Sequence, residues 1–303
     1  MDEPINDRQL VVLDAPSNLG LRPPADGAVP GCYKTPWALR NMGLLRRLDA
    51  DDAGTLIPPR YVADWEPGGG VRNGQAIADY AQRLAARLTE NLEQGEFPVV
   101  LGGDCSILLG PALALRRKGR YGLAFVDAHA DFRHLGNSPH VGAAAGEELA
   151  LATGRGDAYL TDIGRLRPYF RDDDVVALGV RDVEDLRDIA DSDIAVVSDP
   201  VGAAEAARDI LVRDELDGFW IHVDADILDP SILPAVDSPT PGGLTAEQLI
   251  QLLADLLALP GATGLHLTVF DPDLDEDGHQ AELLADVLVQ AFALSHELKR
   301  PTV

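Results

Sequence analysis

Apolar runs of strand length alternate with helical periodicity along nearly all of this chain. Residues 9–15 form the first run, and 98–101, 121–126, 175–180, 194–197, 219–223 and 264–269 follow as short, apolar strands. Helical spacing marks 37–48, 73–94, 107–117, 147–153, 203–213, 246–257 and 280–298. Within 73–94, Ile77, Tyr80, Ala81, Leu84 and Leu88 fall on one stripe, the face an amphipathic helix packs inward. A strand buried on one side only would alternate apolar with polar residues. These runs do not, so both faces of the sheet are covered. Apolar strands joined by helical crossovers predict a parallel sheet between helical layers. The 303 residues contain no low-complexity linker and no internal repeat, so 1–303 reads as one α/β domain.

In such a sheet, ligand-binding residues gather in loops beyond the carboxyl ends of the strands. Three runs meet that expectation. The run 121–126 leads into Asp127-Ala128-His129-Ala130-Asp131. In extended chain, alternation would put Asp127, His129 and Asp131 on one side and the two alanines on the other. The run 219–223 leads into Asp224-Ala225-Asp226, again at spacing two, and 98–101 leads into Gly102-Gly103-Asp104-Cys105-Ser106. Two like charges ~4 Å apart repel by about 1 kcal/mol in water and by ~4 kcal/mol at an effective dielectric of about 20. Four converging carboxylates at the end of a buried sheet are therefore hard to keep ionised. Two divalent cations would cancel them, and oxygen with imidazole donors suits manganese. Metals paired ~3.5–4 Å apart lower the pKa of a water held between them. A strand-end turn held by Asx hydrogen bonds would explain one such cluster but not three.

Composition narrows the partners. Acidic residues outnumber basic ones 50 to 25, for a formal charge of −25. Such a surface repels nucleic acid and anionic lipid. Only three lysines occur (Lys34, Lys118 and Lys299), a bias that reads as a high-GC or salt-adapted genome rather than an acidic docking patch. Cys32 and Cys105 make no disulfide framework. The acidic, polar first ten residues do not resemble a signal peptide, and no apolar run approaches the ~20 residues of a membrane span. The expectation is a cytoplasmic protein acting on a small molecule, with no nucleic acid or membrane partner.

The ordered stretches 102–106, 127–131, 224–230 and 241–244 resemble the ureohydrolase pattern GGDHS, DAHxD, DxDxxDP and PGGL. Arginases, agmatinases and formimidoylglutamases make up that family, and the match runs from the first strand to about Asp275. The resemblance implies a three-layer αβα fold with an eight-stranded, mostly parallel sheet. It implies two manganese ions (Mn2+) per chain, and hydrolysis of a C–N bond in a linear amidine or guanidine by water activated at the pair. The implied ligands are the residue at 105, Asp127, His129, Asp131, Asp224 and Asp226, with Asp131 also orienting the attacking water. A homo-oligomer, trimer or hexamer, is typical of the family.

Three positions depart from that pattern. Cys105 stands where the family has a histidine. As a thiolate it would raise the ligand charge to −5 against +4 and favour iron, cobalt or zinc over manganese; as a thiol it would be a buried bystander. Val269 stands at the family's substrate-binding glutamate, which leaves Asp271 or Asp273 as a shifted carboxylate for the substrate. Ala145 stands at the family's loop histidine. His134 and His140 lie in the same loop as candidate proton-transfer groups, His140 also as a substrate contact, and either could equally be an exposed histidine with no role. The metal machinery is thus kept while the substrate machinery is rewritten. The expected substrate is a hydroxyguanidine or formimino compound rather than arginine. A single-zinc amide hydrolase of the related deacetylase type, and a non-catalytic metal-binding homologue, are the competing readings.

Overall fold

The computed structural model describes residues 8–138, 141–199 and 202–298. Its strands are β1 (Leu10–Asp14), β2 (Asp51–Thr55), β3 (Phe97–Leu101), β4 (Gly122–Val126), β5 (Val175–Leu178), β6 (Ala195–Val197), β7 (Phe219–Asp224) and β8 (Ala262–Thr268). All eight run parallel in one sheet, in the order β2-β1-β3-β8-β7-β4-β5-β6. The helices are α1 (Thr35–Asn41), α2 (Leu44–Leu48), α3 (Gly74–Glu93), α4 (Leu109–Lys118), α5 (Glu148–Ala152), α6 (Ala158–Thr161), α7 (Val183–Ile189), α8 (Ala204–Leu211), α9 (Ala246–Ala258) and α10 (His279–Leu298). This is the three-layer αβα arrangement the sequence implies.

Period-two alternation divides the strand residues between two cores. In β7, Phe219, Ile221 and Val223 enter the core beneath α9 and α10, while Trp220 enters the one beneath α3 and α4. His222 and Asp224 share the side of Trp220 by the same alternation. No helix among the described residues is long and apolar enough to cross a membrane.

Three elements differ from the expectation, each for a local reason. β2 is the polar run Asp-Asp-Ala-Gly-Thr and pairs only with β1. An edge strand needs no apolar face, so the pattern does not mark it. The single helix expected over 37–48 is two, α1 and α2, because Gly43 adopts φ +73° and turns the chain between them. The seven-residue α7, capped by the Asp182 carboxylate accepting from Glu184 and Asp185 N–H, is too short for periodicity to register.

The strand order places the site. β3 and β4 are consecutive in sequence, yet β8 and β7 lie between them. The chain therefore changes direction across the sheet there, which opens a crevice above the carboxyl ends of the four central strands.

Candidate metal centre

Three of those four strands, β3, β4 and β7, end in candidate ligands. β3 leaves through Gly103, where a Cβ would lie 2.5 Å from the backbone of Ser17, so the β1 and β3 exits can pass only with glycine there. Asp104 accepts from the Ser17 hydroxyl at 2.6 Å and from Ser106 N–H at 2.9 Å, and so caps the turn Cys105–Leu108 that presents Cys105. After β4 the chain does not stay extended as the sequence reading supposed. Asp127 Oδ1 accepts from His129 N–H at 2.7 Å, and Asp131 takes a positive φ of 42°. After β7, Asp224 Oδ1 accepts from Asp226 N–H at 2.8 Å. Asx turns, rather than strand alternation, gather these side chains, so the turn reading and the cluster reading hold together.

The cluster is buried and crowded with acid. Asp127, Asp224 and Asp226 are 0%, 2% and 3% exposed. Cys105 Sγ lies 2.9 Å from Asp224 Oδ2. His129 Nδ1 lies 2.9 Å from Asp226 Oδ2, while its Nε2 lies 3.0 Å from Thr240 Oγ1, a contact that fixes the ring. Burial opposes a charged His129, but hydrogen bonds to Asp127 and Asp226 outweigh it and hold its pKa at about 12. Burial pushes Asp224 and Asp131 well up, and neighbouring carboxylates push further.

Two groups that the sequence reading passed over join them. Glu148, the first residue of α5, is fully buried, and neither of its oxygens has a hydrogen-bond partner among the described residues. Burial, then Asp131 and Asp127, drives its pKa well up. His222 lies in a buried chain that begins at Trp220, whose Nε1 donates to His266 Nδ1 at 2.6 Å. His266 Nε2 in turn lies 2.6 Å from His222 Nδ1, and His222 Nε2 lies 3.4 Å from Asp127 Oδ2.

That chain has one direction. An indole N–H can only donate, so His266 Nδ1 is an acceptor and the proton of neutral His266 sits on Nε2. It donates to His222 Nδ1, which leaves the hydrogen of neutral His222 on Nε2, pointing at Asp127. Four sets of side chains have ligand atoms within 4.8 Å of one another. They are Asp127–His129–Asp226, Asp127–Asp131–Glu148, Cys105–Glu148–His222 and Asp127–His222–Asp224. The tautomer removes His222 as a ligand in the last two and makes it a support for Asp127. The remaining oxygen, imidazole and sulfur donors, with an orphaned buried carboxylate among them, fit a pair of divalent cations.

A cavity of about 190 Å³ opens above this floor. Cys105, His129, Asp131, Asp224 and Asp226 reach it from below, and Ala145, Val269, Arg22, Arg133 and Asp237 line its walls and mouth. Val269 is 4% exposed and takes φ +68°, a conformation β-branched residues rarely adopt, with its N–H donating to Gly103 O at 2.8 Å. Arg181, also passed over in the sequence, donates to the carbonyls of Asp226 and Thr240 at 2.9 and 2.6 Å and so ties two site loops together.

Three expected contributors, Asp271, Asp273 and His134, are not brought to the cavity. Asp271 spends its carboxylate on Gly31 N–H and Asp273 N–H, both at 2.9 Å. Asp273 pairs with Lys34 instead. His134 accepts from Gly136 N–H at 3.0 Å within its own turn, against the edge of Phe132. His140 lies outside the described residues.

Glu147, beside the cavity loop, provides a test of these electrostatics. It is 4% exposed, and burial raises its pKa to about 7 despite bonds from Gly142 and Ala143 N–H. A carboxyl whose folded-state pKa exceeds its free value near 4.5 favours the fold below that value and loses its contribution as pH rises through about 7. Glu147→Gln should therefore match wild type at about pH 4 and exceed it at pH 8 by up to about 3 kcal/mol, at ~1.36 kcal/mol per unit. Urea melts of both proteins at both pH values measure this, and an equal difference at the two pH values would contradict it.

The sequence profile of the arginase family matches residues 24–294. The chain belongs to the arginase family. The arginase of Bacillus caldovelox is 29% identical to it over 85% of this chain and 91% of that relative. The crystal structure of that arginase superposes with a TM-score of 0.83 at 28% identity, covering 94% of this chain and 98% of that one. Proclavaminate amidino hydrolase from Streptomyces clavuligerus, at 20% identity and a TM-score of 0.69 over 95% and 93% of the two chains, shares the fold. Cys105, Ala145 and Val269 all line the cavity itself.

Proposed function

We propose that this protein hydrolyses the C–N bond of a linear amidine with a weakly basic head group and a carboxylate-bearing tail, using two divalent cations. As an arginase-family member the chain is a hydrolase of C–N bonds in linear amidines. The observation that carries the finer reading is the make-up of the cavity. Metal-type donors cover its floor, while Val269 and Ala145 offer neither a carboxylate nor an imidazole, which leaves Asp237 as the one carboxylate among the described lining residues besides the metal-type donors. Exposed Arg22 and half-buried Arg133 both line the cavity; Arg133 pairs with Asp185 at 3.5 Å, whereas Arg22 has no ion-pair partner among the described residues. Guanidinium side chains there suit a carboxylate on the substrate rather than a second cation. A formimino amino acid or a hydroxyguanidine acid has that shape.

The proposed ligands are Cys105, Asp127, His129, Asp131, Asp224 and Asp226. Two cations held by these residues would lower the pKa of bound water and so supply a nucleophile near neutral pH. Asp131, on the cavity floor, accepts a hydrogen bond from the attacking water and aims it at the amidine carbon. Thr240 holds the His129 ring, and the Trp220–His266–His222 chain holds Asp127, so both side chains stay aimed. Asp127 belongs to two ligand sets that remain after His222 is excluded, which favours two cations sharing a carboxylate over a single zinc.

The experiment is a screen for the product released from each substrate (formamide, hydroxyurea, urea or acetate, each with the freed amine) after loading with manganese, iron, cobalt or zinc. The substrates are formiminoglutamate, N-hydroxyarginine, L-arginine, agmatine and an acetylated amine. Release should be greatest from formiminoglutamate or N-hydroxyarginine, with about two ions per chain. Turnover of the acetylated amine alone, with one zinc per chain, would replace this reading with the deacetylase one.

A further inference from the structure

We propose that Glu148 is a ligand of the metal pair, coordinating on the Cys105 side of the site and adding a fifth carboxylate to Asp127, Asp131, Asp224 and Asp226. This rests on the two-cation reading above and goes beyond it, because no part of the sequence pattern assigns a ligand to this position. Three observations carry it.

The first is the state of the side chain. Glu148 is 0% exposed, and both its oxygens lack a hydrogen-bond partner among the described residues. A buried carboxylate left unsatisfied in this way is unfavourable, and native folds keep one only when something else satisfies it. Its polar neighbours offer at most one shared proton, between Glu148 and Asp131, which leaves the remaining oxygen unsatisfied. Asp131 is itself a carboxylate, and two carboxylates bond to each other only by sharing a proton. His222 Nε2 is 3.9 Å away and closer to Asp127, at 3.4 Å.

The second is aim. Oxygens of Glu148 fall within 4.8 Å of ligand atoms of Asp127 and Asp131 in one set, and of Cys105 Sγ in another. The tautomer of the histidine chain excludes His222 from that second set, which leaves Cys105 and Glu148 as its donors. One cation between Cys105, Asp131 and Glu148 would serve both.

The third is access. Glu148 does not line the cavity, whereas Cys105 and Asp131 do. A carboxyl behind the floor cannot hand a proton to substrate, so it does not replace the missing loop histidine at position 145. From behind the floor it can hold a cation. It also explains how a thiol at position 105 is compatible with a metal site: where one donor is changed from imidazole to sulfur, a hard oxygen donor is added beside it.

The test uses Glu148→Gln, which keeps the volume and removes the charge, and Glu148→Asp, which keeps the charge and shortens the reach. Full-length wild type and both variants are stripped, titrated with cobalt(II), and assayed for bound metal and for sulfur-to-cobalt charge-transfer absorption. Wild type should bind about two ions, as a paired site requires. Glu148→Gln should retain about one and lose most of the charge-transfer band, since the lost ion is the one beside Cys105. Glu148→Asp should keep both, the weaker bound at least about tenfold less tightly, the scale set by loss of even an outer partner.

Thermal melts add a readout that a merely structural role would not move in the same way. Glu148→Gln should melt higher than wild type without metal, because an amide relieves the crowding of Glu148 against Asp131 and Asp127, and lower than wild type with metal. Two ions in Glu148→Gln with unchanged titration midpoints, or melts shifted in the same direction in both forms, would overturn the proposal. Wild type that binds no metal would overturn the two-cation reading and this one with it.

Discussion

L-Arginine and agmatine should be turned over at least about 10³-fold less efficiently by the metal-loaded protein than by an arginase with a carboxylate and a histidine at these two positions. A planar guanidinium is held best by a bidentate carboxylate, and a desolvated charge-assisted pair contributes roughly 1.5–3 kcal/mol. At about 1.36 kcal/mol per factor of ten, its loss alone slows the reaction by roughly 10- to 100-fold. A positioned proton donor to the leaving amine is typically worth ~10²–10⁴-fold, and Ala145 cannot serve as one. The lower ends of the two ranges multiply to about 10³. The structure closes two of the routes left open by the sequence, because Asp271 is bonded to Gly31 and Asp273, and His134 is folded into its own turn, while His140 lies outside the described residues. The measurement is kcat/KM for arginine, agmatine, N-hydroxyarginine and formiminoglutamate. Arginine turnover at arginase efficiency would mean that another carboxylate does the work. Asp237 at the cavity mouth is then the residue to change, as Asp237→Asn.

Asp127→Asn should cost both metal ions, not one. Asp127 belongs to three of the four ligand sets, including sets on the His129 side and on the Asp131 side. The asparagine oxygen can still accept from His129 N–H, so the turn after β4 survives while the bridging charge does not. Bound metal should fall from about two ions per chain to well below one. Paired metals supply several kcal/mol of transition-state stabilisation, so activity should fall by about 10³-fold or more. Asp226→Asn, which touches only the His129 set, should keep about one ion, and the contrast between the two variants is the informative result. Two ions retained in Asp127→Asn would show that the cations lie elsewhere.

The sequence alone determined the architecture and most of the cavity floor, and the reason is local. A parallel sheet covered on both faces demands strands without alternation, and seven of the eight strands show themselves that way. Carboxylates packed at spacing two after such strands have little purpose without cations, so Asp127, His129, Asp131, Asp224 and Asp226 could be picked out with no coordinates. Departures at Cys105, Ala145 and Val269 were legible as well, because ordered motifs bracket them.

What only the tertiary structure decided is which other residues face that floor, and those depend on strand order and helix placement rather than on spacing. Insertion of β8 and β7 between β3 and β4 sets His266 opposite His222 in neighbouring strands, two residues beyond Trp220. In sequence they are polar interruptions in two apolar runs, 44 residues apart. Glu148 reads as the start of an ordinary short helix, and nothing before it in the chain says that α5 turns this carboxylate inward beside Asp131. Asp271 looked available for the opposite reason. Its position two residues past Val269 is right, but the 30–35 segment packs against it, so that Gly31 N–H takes one of its oxygens while Asp273 N–H takes the other. A buried polar group goes where its partners are, and partners distant in sequence become neighbours only once the sheet is assembled.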